Sequence, residues 1–414
     1  MQLLVQNIRE LVTVKSGGRP FRAGMEMRDL GVMENADVLI EDGLFRRIGP
    51  TGSLTGSIDE DADVLDASEY VALPGFVDAH THLLFAGSRE DEFAMRVEGK
   101  TYQQIAQAGG GIISTVAATR NASKKELKKI ASKRLDGMME LGTTTVEIKS
   151  GYGLDADSEI KMLEAINELS EEHFMTIVPT FLGAHAVPDE YKSNPDAYVD
   201  LICDRMLPYI TRRKLARFCD VFCEVGYFTV EQSGQILQKA KSFGIESKIH
   251  ADQLSQIGAS KLGAELRAVS VDHLEQIDDG GIAALKKAGC VAVLLPGVSF
   301  FLHYGYPPAR TIIDAQIPLA IASNFNPGSC MSYSMPLMMT IACTQMGLTP
   351  EEAITASTLN AAAALKMSDT VGSIEVGKQA DIVLYAVPHY RQIPYFFGVN
   401  LAAKIIKRGT LLEF

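Results

Sequence analysis

The chain has 414 residues, of which 47% are apolar and 22% charged, and it carries a formal net charge of −12 at pH 7. This length is too great for one minimal core and suits a large α/β domain with a smaller one. The acidic balance argues against nucleic acid as a partner, because phosphate binding needs clustered Lys and Arg. The one basic cluster, from Lys124 to Arg134, alternates with acidic residues and predicts a solvated helix face.

Three features of the sequence bear on where the protein resides. Arg9 and Glu10 interrupt any apolar segment near the N-terminus, which argues against a signal peptide. No apolar run approaches about 18 residues, so no membrane partner is expected. The six cysteines have no framework spacing, which predicts reduced structural thiols. We therefore expect a cytoplasmic protein.

The two ends of the chain share one style of sequence. Runs such as QLLVQN and ADVLIEDGLFRRIG in the first seventy residues read as short strands separated by Gly and Asp turns. The last fifty residues return to this style with GSIEVGKQADIVLYAV and AAKIIKRGTLLEF. We predict that 1–70 and 366–414 together form a small β-sandwich domain.

The middle of the chain, 71–365, alternates strand-like runs with helical patterns. There are eight such runs: VALPGFVDAH, GTTTVEIKSG, MTIVPTFLGAH, CDVFCEVG, IESKIHAD, AVSVDHL, CVAVLLPG and IPLAIASN. Eight βα units in about 290 residues predict an α/β fold of the (β/α)8 TIM-barrel type. A doubly wound open sheet is the alternative.

Polar residues collect at the C-terminal ends of these runs, which form the active face of a barrel. In chain order they are His80 and His82, Lys149 and Tyr152, His185, Glu224, His250, Asp252 and Gln253, Asp272 and His273, and Asn324. Five of the eight histidines fall here. A single histidine at a strand end is more often a core residue, but five that converge on one rim favour a functional site.

His80 and His82 are two residues apart, so on a strand they point the same way and can share one metal ion. A strand-end histidine about 170 residues later, His250, strengthens this pattern. Histidine-rich ligation with room for oxygen suits Zn²⁺ or Fe²⁺ and leaves a position open for water. Such a metal would lower the pKa of that water toward about 7.

Several segments resemble a known family. PGFVDAHTH and GSIEVGKQADIVLY resemble the amidohydrolase superfamily of metal-dependent hydrolases. A fuller set resembles its imidazolonepropionase family: HTHLLFAGSREDEF, AGGGIISTVAATR, TTTVEIKSGYGLD, FLGAHAVP, KIHADQ, VSVDHLE and FNPGS. This resemblance runs from about residue 70 to the C-terminus. It implies hydrolysis of the ring amide of 4-imidazolone-5-propanoate to N-formimidoyl-L-glutamate in histidine degradation.

By position, the resemblance implies a role for each matching residue. His80, His82 and His250 match the ligands of one divalent or trivalent ion per chain, Zn or Fe. Arg89 matches a substrate residue, and its guanidinium suits the propanoate carboxylate. The remaining matches are Tyr152 and His185 around the imidazolone ring, Asn326, Gly328 and Ser329 in a loop that contacts substrate or product, and His273 as a group that orients water or polarises the carbonyl.

Each of these residues also has a structural interpretation. Arg89 could form a surface ion pair with Glu90 or Asp91, and Tyr152 could be a turn residue between two glycines. The FNPGS segment could be a plain turn. His273 could be a buried histidine bonded to Asp272 or Glu275.

Two positions depart from the family pattern. Gln253 stands where many members have Glu, and either side chain can hydrogen-bond a polar ring. Asn324 stands where the family has the metal-binding Asp that accepts the proton of the attacking water. Asn324 keeps an oxygen that could bind the metal, but it cannot take up a proton at neutral pH. Glu224, Asp252 and His273 are the alternative bases in the sequence.

Three functions remain open at this stage. The first is a cyclic-amide hydrolase of the imidazolonepropionase type that acts on a small molecule, with activity impaired by Asn324. The second is another amidohydrolase, such as an aminoazine deaminase; a dihydroorotase-like enzyme would need a lysine where Glu224 lies. The third is a catalytically silent ligand-binding homologue. We expect a homodimer in each case.

Overall fold

The computed structural model describes residues 2–100, 104 and 109–413. The strands are β1 Gln2–Val12, β2 Val32–Glu41, β3 Leu44–Pro50, β4 Asp63–Asp66, β5 Val71–Pro74, β6 Phe76–Asp78, β7 Thr143–Lys149, β8 Thr176–Ala184, β9 Phe218–Cys223, β10 Glu246–Ala251, β11 Ser270–His273, β12 Val291–Leu294, β13 Leu319–Ile321, β14 Ile382–Tyr385, β15 Ala402–Lys407 and β16 Thr410–Leu412. They form two sheets of eight strands each among the described residues.

The helices of the described residues lie mostly between the strands of the middle segment. They are α1 Glu90–Val97, α2 Ile112–Asn121, α3 Lys124–Glu140, α4 Ala156–Glu172, α5 Pro195–Leu201, α6 Leu207–Arg213, α7 Val230–Ser242, α8 Ala259–Glu265, α9 Asp279–Ala288, α10 Pro296–Leu302, α11 Ala309–Asp314, α12 Met335–Met346, α13 Pro350–Ala356, α14 Leu359–Ala363 and α15 Gln392–Tyr395. None of the described helices is long and apolar enough to cross a membrane.

The first sheet joins both ends of the chain, in the order β16-β15-β14-β5-β1-β2-β3, with β4 added beside β1. One face of this sheet has a core of its own, to which β1, β2, β14 and β15 all contribute. Side chains on the other face, such as Leu73 and Val383, pack with the large core of the middle segment. Both ends of the chain therefore contribute apolar side chains to one shared core. This shared burial is the physical cause of the predicted pairing.

The second sheet is the predicted barrel. Its strands β6 to β13 pair in parallel and in chain order. The first and last strands meet just beyond their C-terminal ends, where the Asn324 N–H donates to the His80 carbonyl and the His82 N–H donates to the Phe325 carbonyl, both at 3.0 Å. The open-sheet alternative is therefore wrong.

The first strand-like run, VALPGFVDAH, is divided between the two sheets. Its N-terminal half is β5 in the terminal sheet and its C-terminal half is β6 in the barrel. Gly75 lies at the division, and a Cβ atom there would collide with the Thr144 side chain. Only glycine allows the backbone to approach β7 this closely.

The longer helices begin where the sequence supplies capping residues. Ser123 and Glu126 form a capping box at the start of α3, and Thr229 and Gln232 do the same for α7. Asp155 accepts a hydrogen bond from Ser158 N–H at the start of α4. These caps satisfy N–H groups that a helix leaves unpaired in its first turn.

The basic cluster on α3 is only partly the predicted solvated face. Lys124 and Lys128 do lie at the surface, where both pair with Glu168 on α4. Arg134 is different, because its guanidinium packs 3.6 Å from the Phe85 ring centre and donates to the Leu83 and Phe85 carbonyls. Burial lowers its pKa to about 10. Arg134 therefore supports the segment that follows His82.

The six cysteines are all unpaired, as the sequence predicted.

Candidate active site

The C-terminal ends of the barrel strands bring three histidines together. One nitrogen from each of His80, His82 and His250 lies within 4.8 Å of the others, and all three side chains are buried. The His82 and His250 Nε2 atoms face each other at 3.4 Å. His80 and His82 share a direction because they are two residues apart after β6, as the sequence predicted.

Two buried aspartates orient two of these histidines. His80 Nδ1 lies 2.7 Å from Asp272 Oδ2, and His250 Nδ1 lies 3.0 Å from Asp220 Oδ1. Each Nδ1–H donates to a carboxylate, so Nε2 is left as the lone-pair atom in both rings. This arrangement of carboxylate, histidine and donor nitrogen is the one that metal-binding histidines adopt.

The histidine donor set fits a metal ion. His80 Nε2, His82 Nδ1 and Asn324 Oδ1 are buried and have no hydrogen-bond partner among the described residues. Buried polar atoms without partners are rare, because each costs about 1–3 kcal/mol. A divalent cation would satisfy His80 Nε2 together with the facing Nε2 atoms of His82 and His250, whereas His82 Nδ1 lies on the other side of its ring. Three imidazoles with one open position are the donors that Zn²⁺ and Fe²⁺ accept.

Burial keeps the histidines neutral, which metal ligation requires. It lowers the pKa of His80 and His82 well below the ordinary histidine value. Burial also lowers the pKa of His250, although Asp220 acts in the opposite direction. In His185 burial lowers the pKa to about 3.

Asn324 follows β13 in a left-handed backbone conformation with φ of 53°. Its Nδ2 donates to Ser329 Oγ at 3.1 Å, which leaves Oδ1 as the unpartnered atom. Asparagine tolerates this conformation better than most residues. The amide therefore presents an oxygen atom that can bind a metal ion but does not take up a proton at neutral pH.

Tyr152 and His185 lie beside the three histidines. The His185 ring stacks on His82 with centres 4.8 Å apart, and the Tyr152 ring is 6.0 Å from His82. His185 Nδ1–H donates to the Gly151 carbonyl at 2.9 Å, so its Nε2 is the free acceptor. Tyr152 does lie at a bend between Gly151 and Gly153, but it is only 2% exposed. Burial raises its pKa, against the opposing effect of the nearby guanidiniums of Arg89 and Arg134.

Arg89 pairs with neither Glu90 nor Asp91. Its Nε and Nη2 both donate to Glu92 Oε2, at 2.9 and 2.6 Å. The other oxygen of Glu92 accepts the Gly111 N–H at 2.8 Å, so Glu92 ties Arg89 to the start of α2. Sequence reasoning missed Glu92, although its spacing of three residues from Arg89 on a helix was a usable signal.

The loop after β13 is held together by its own side chains. Asn326 Oδ1 accepts the N–H groups of Gly328 and Ser329 at 2.8 and 2.9 Å, and Asn326 Nδ2 donates to the Asn324 carbonyl. The Gly328 carbonyl accepts from Arg96 Nη1 at 2.9 Å. A Cβ atom on Gly328 would collide with Arg89 Nη1. The loop is thus both a turn and the neighbour of Arg89.

Three residues from the strand ends differ in how free their side chains are. Glu224 accepts the N–H groups of Leu254 and Ser255 at 2.8 and 3.2 Å and that of Val225 at 2.8 Å, so both its oxygens are occupied. Asp252 lies beside Ser260 at the start of α8. Gln253, which directly follows Asp252, is half-buried.

His273 lies at the edge of the histidine cluster. Its ring centre is 5.2 Å from that of His250 and 5.6 Å from that of His80. His273 Nδ1 lies 3.5 Å from Glu275 Oε1, at the limit of a hydrogen bond, while Asp272 serves His80 instead. Of the two structural partners considered for His273, Glu275 is the one observed.

Comparisons with known proteins agree with this geometry. Residues 71–410 match the model of the amidohydrolase family. An imidazolonepropionase from Symbiobacterium thermophilum is 47% identical over 100% of this chain and 97% of its own length. One from Geobacillus kaustophilus is 46% identical, covering 99% of this chain and 97% of that protein.

A solved structure supports the fold. An adenosine deaminase from Xanthomonas campestris, described as having bound zinc, superposes with a TM-score of 0.74 at 18% identity. The match covers 99% of this chain and 92% of that chain. At this identity the likeness concerns the barrel and its terminal sheet.

Proposed function

The chain belongs to the amidohydrolase family and, within it, to the imidazolonepropionases, and on this basis we propose that it hydrolyses the ring amide of 4-imidazolone-5-propanoate. The oxygen of water bonds to the ring carbonyl carbon, the carbon–nitrogen bond breaks, the nitrogen takes a proton, and N-formimidoyl-L-glutamate is released. One observation carries the proposal: three buried imidazole donors converge within 4.8 Å of one another, and the ring of His82 lies 6.0 Å from Tyr152, which in turn lies within electrostatic range of Arg89.

His80, His82 and His250 would hold one metal ion, Zn or Fe, with Asn324 Oδ1 as a further oxygen ligand. The convergence of one nitrogen from each histidine and the unpartnered His80 Nε2 and Asn324 Oδ1 atoms support this assignment. When bound, the ion supplies Lewis-acid chemistry that acidifies water and polarises a carbonyl oxygen. Asp220 and Asp272 fix the orientation of two of the rings.

His273 is the group that we assign to proton transfer. Asn324 cannot accept a proton, and Glu224 has both oxygens engaged. Glu275 binds His273 at Nδ1, so Nε2 is the atom left for the attacking water. A histidine oriented by a carboxylate is a common general base.

The substrate would lie between the histidines and Arg89. The guanidinium would bind the propanoate carboxylate, because two parallel N–H groups match its two oxygens. Tyr152 and His185 would flank the imidazolone ring, and Gln253 would hydrogen-bond its polar edge. Gly328 leaves room for the Arg89 guanidinium, and Ser329 offers a hydroxyl beside Asn324.

The test combines metal content with turnover. The purified protein, loaded with Zn²⁺ or Fe²⁺, should bind about one ion per chain and consume imidazolonepropanoate, followed by its absorbance. Removal of the ion by a chelator should stop the reaction and its return should restore it. Turnover of an aminoazine with no turnover of imidazolonepropanoate would reject the proposed substrate.

A silent ligand-binding protein is the second candidate. Asn324 is its only support, because it stands where the family has an acid. A loaded protein that binds imidazolonepropanoate but forms no product would establish it.

We further propose a homodimer formed through an aromatic patch, which we define as Phe300, Tyr395 and Phe397. These side chains are 53%, 79% and 62% exposed. They border a groove of about 1000 Å³ that His389 and Arg391 also line. Because one surface carries both the groove and the projecting rings, two copies related by a two-fold axis could fill each other's grooves.

Light scattering tests this interface. The unmodified chain should have twice the monomer mass, and Tyr395→Asp with Phe397→Asp should yield monomers. Phe174→Asp is the matched control, since Phe174 is 60% exposed outside the patch. A monomeric unmodified chain would contradict the proposal.

A further inference from the structure

A layer of charged side chains lies beneath the histidines, and only its two aspartates have so far been given a role. It consists of Glu147, Lys149, Asp220, Lys248 and Asp272, all 0% exposed. These residues come from β7, β9, β10 and β11, the strands that also position His250 and His273. Buried charges are costly unless they are paired, so their arrangement is tightly constrained.

Lys149 is the hub of this layer. Its Nζ donates to Asp220 Oδ2 at 2.7 Å, contacts Glu147 Oε2 at 2.8 Å and lies 3.9 Å from Asp272 Oδ2. Glu147 is fixed in turn by Thr180 Oγ1, which donates to its other oxygen at 2.5 Å. The ammonium group is therefore held at one position between two aspartates.

Those two aspartates are the ones that orient the histidines. The second oxygen of Asp220 accepts from His250 Nδ1, and Asp272 accepts from His80 Nδ1. Lys248 duplicates only the contact with Asp272, which its Nζ also approaches at 3.9 Å, and its other contacts are the Ala79 carbonyl and Glu147. Lys149 is the ammonium that contacts Asp220 among the described residues.

We propose that Lys149 is a positioning residue for the metal centre, which it serves by fixing Asp220 and Asp272 so that His250 and His80 direct Nε2 at one ion. The inference rests on the proposed function, since it assumes that the histidines bind metal. Lys149 would act on the ion through three successive contacts: ammonium to carboxylate, carboxylate to imidazole, and imidazole to metal.

The direction of the change in metal affinity distinguishes a positioning role of Lys149 from a purely electrostatic one. Lys149→Met removes a positive charge from beneath a cation. The loss of Coulomb repulsion by itself would therefore strengthen metal binding. Loss of positioning would weaken it, by about 10–100-fold as for other supports of metal ligands. The two causes therefore predict opposite changes in the dissociation constant.

The experiment measures metal affinity without substrate. Apo protein competes with a chromophoric chelator for Zn²⁺, and its Co²⁺ form is recorded by visible absorption, which reports ligand geometry. We expect Lys149→Met to bind Zn²⁺ about 10–100-fold more weakly and to alter the Co²⁺ spectrum. Lys407→Met is the control, because Lys407 is equally buried and pairs with Asp381 at 2.7 Å in the terminal sheet.

A second variant guards against misfolding. Glu147→Gln combined with Lys149→Met restores the charge balance of the layer, and it too should bind Zn²⁺ more weakly. Equal or tighter binding by the folded variants would overturn the inference, as would failure of both variants to fold, since Lys149 would then serve the fold itself. If the unmodified chain bound no metal, the proposed function would fail first, which is a distinguishable result.

Discussion

The two ends of the proposed substrate site are built in different ways. The histidine end comes from barrel strands, and its side chains are at most 2% exposed. The guanidinium end comes from α1 and the loop after β13, where the Arg89 side chain is 13% exposed. The first end holds neutral imidazoles over a buried ionic layer, and the second holds a charged pair close to solvent. In the proposed site, the chemistry would thus lie at the ends of rigid strands and the recognition of substrate in loops.

The same contrast appears in how each end is supported. His80 and His250 depend on aspartates from other strands, and 192 residues separate His80 from its partner Asp272. Arg89 depends mainly on Glu92, three residues away on the same helix. Damage to the histidine end should therefore abolish the reaction, whereas damage to the other end should weaken substrate binding.

The largest effect should follow loss of a histidine ligand. His82→Ala removes one of three metal donors, and metal catalysis supplies several kcal/mol, so kcat/KM should fall by roughly 10³-fold or more. His173→Ala is the control, because His173 pairs with Asp136 on the barrel exterior. Metal content should fall in the first variant and not in the second. Full activity of His82→Ala at low metal content would contradict the assignment.

Restoration of an acid at Asn324 should have the next largest effect. Asn324→Asp supplies both a charged ligand and a proton acceptor, so kcat should rise by about 10² or more and the metal should resist a chelator better. The measurement is kcat at matched metal occupancy. If the two forms turn over equally, His273 alone suffices as the base.

At the other end, Arg89→Met should change binding more than chemistry. Loss of a charge-assisted contact costs roughly 2–3 kcal/mol, so KM for imidazolonepropanoate should rise about 30–150-fold with kcat little changed. An analogue without the carboxylate should respond weakly. Equal losses on both compounds would mean that Arg89 is structural.

The smallest effect should come from Glu92. Glu92→Gln keeps the size of the side chain but weakens its hold on Arg89, so KM should rise by about 10-fold, the equivalent of 1.4 kcal/mol. Glu90→Gln is matched to it, because Glu90 lies on the same helix and bonds Ser88 at the surface. A kcat loss in Glu92→Gln without a change in KM would break the distinction between the two ends.

The sequence determined the features that depend on short-range pattern. Eight buried strand runs predicted the barrel, because alternation of strands and helices leaves few other ways to bury apolar faces. The spacing of His80 and His82 fixed their common direction, since side chains on a strand repeat every two residues. Resemblance to a family placed Arg89 and His250, and the substitution at Asn324 was visible without any coordinates.

The tertiary structure decided which charged groups pair across long separations. Lys149 and Asp220 are 71 residues apart, and no local pattern joins them. The same holds for Glu224, a possible base in the sequence whose Oε2 accepts the Leu254 and Ser255 N–H groups. Hydrogen bonds are directional and short in range, so their partners are set only when strands from distant segments reach register in the closed barrel.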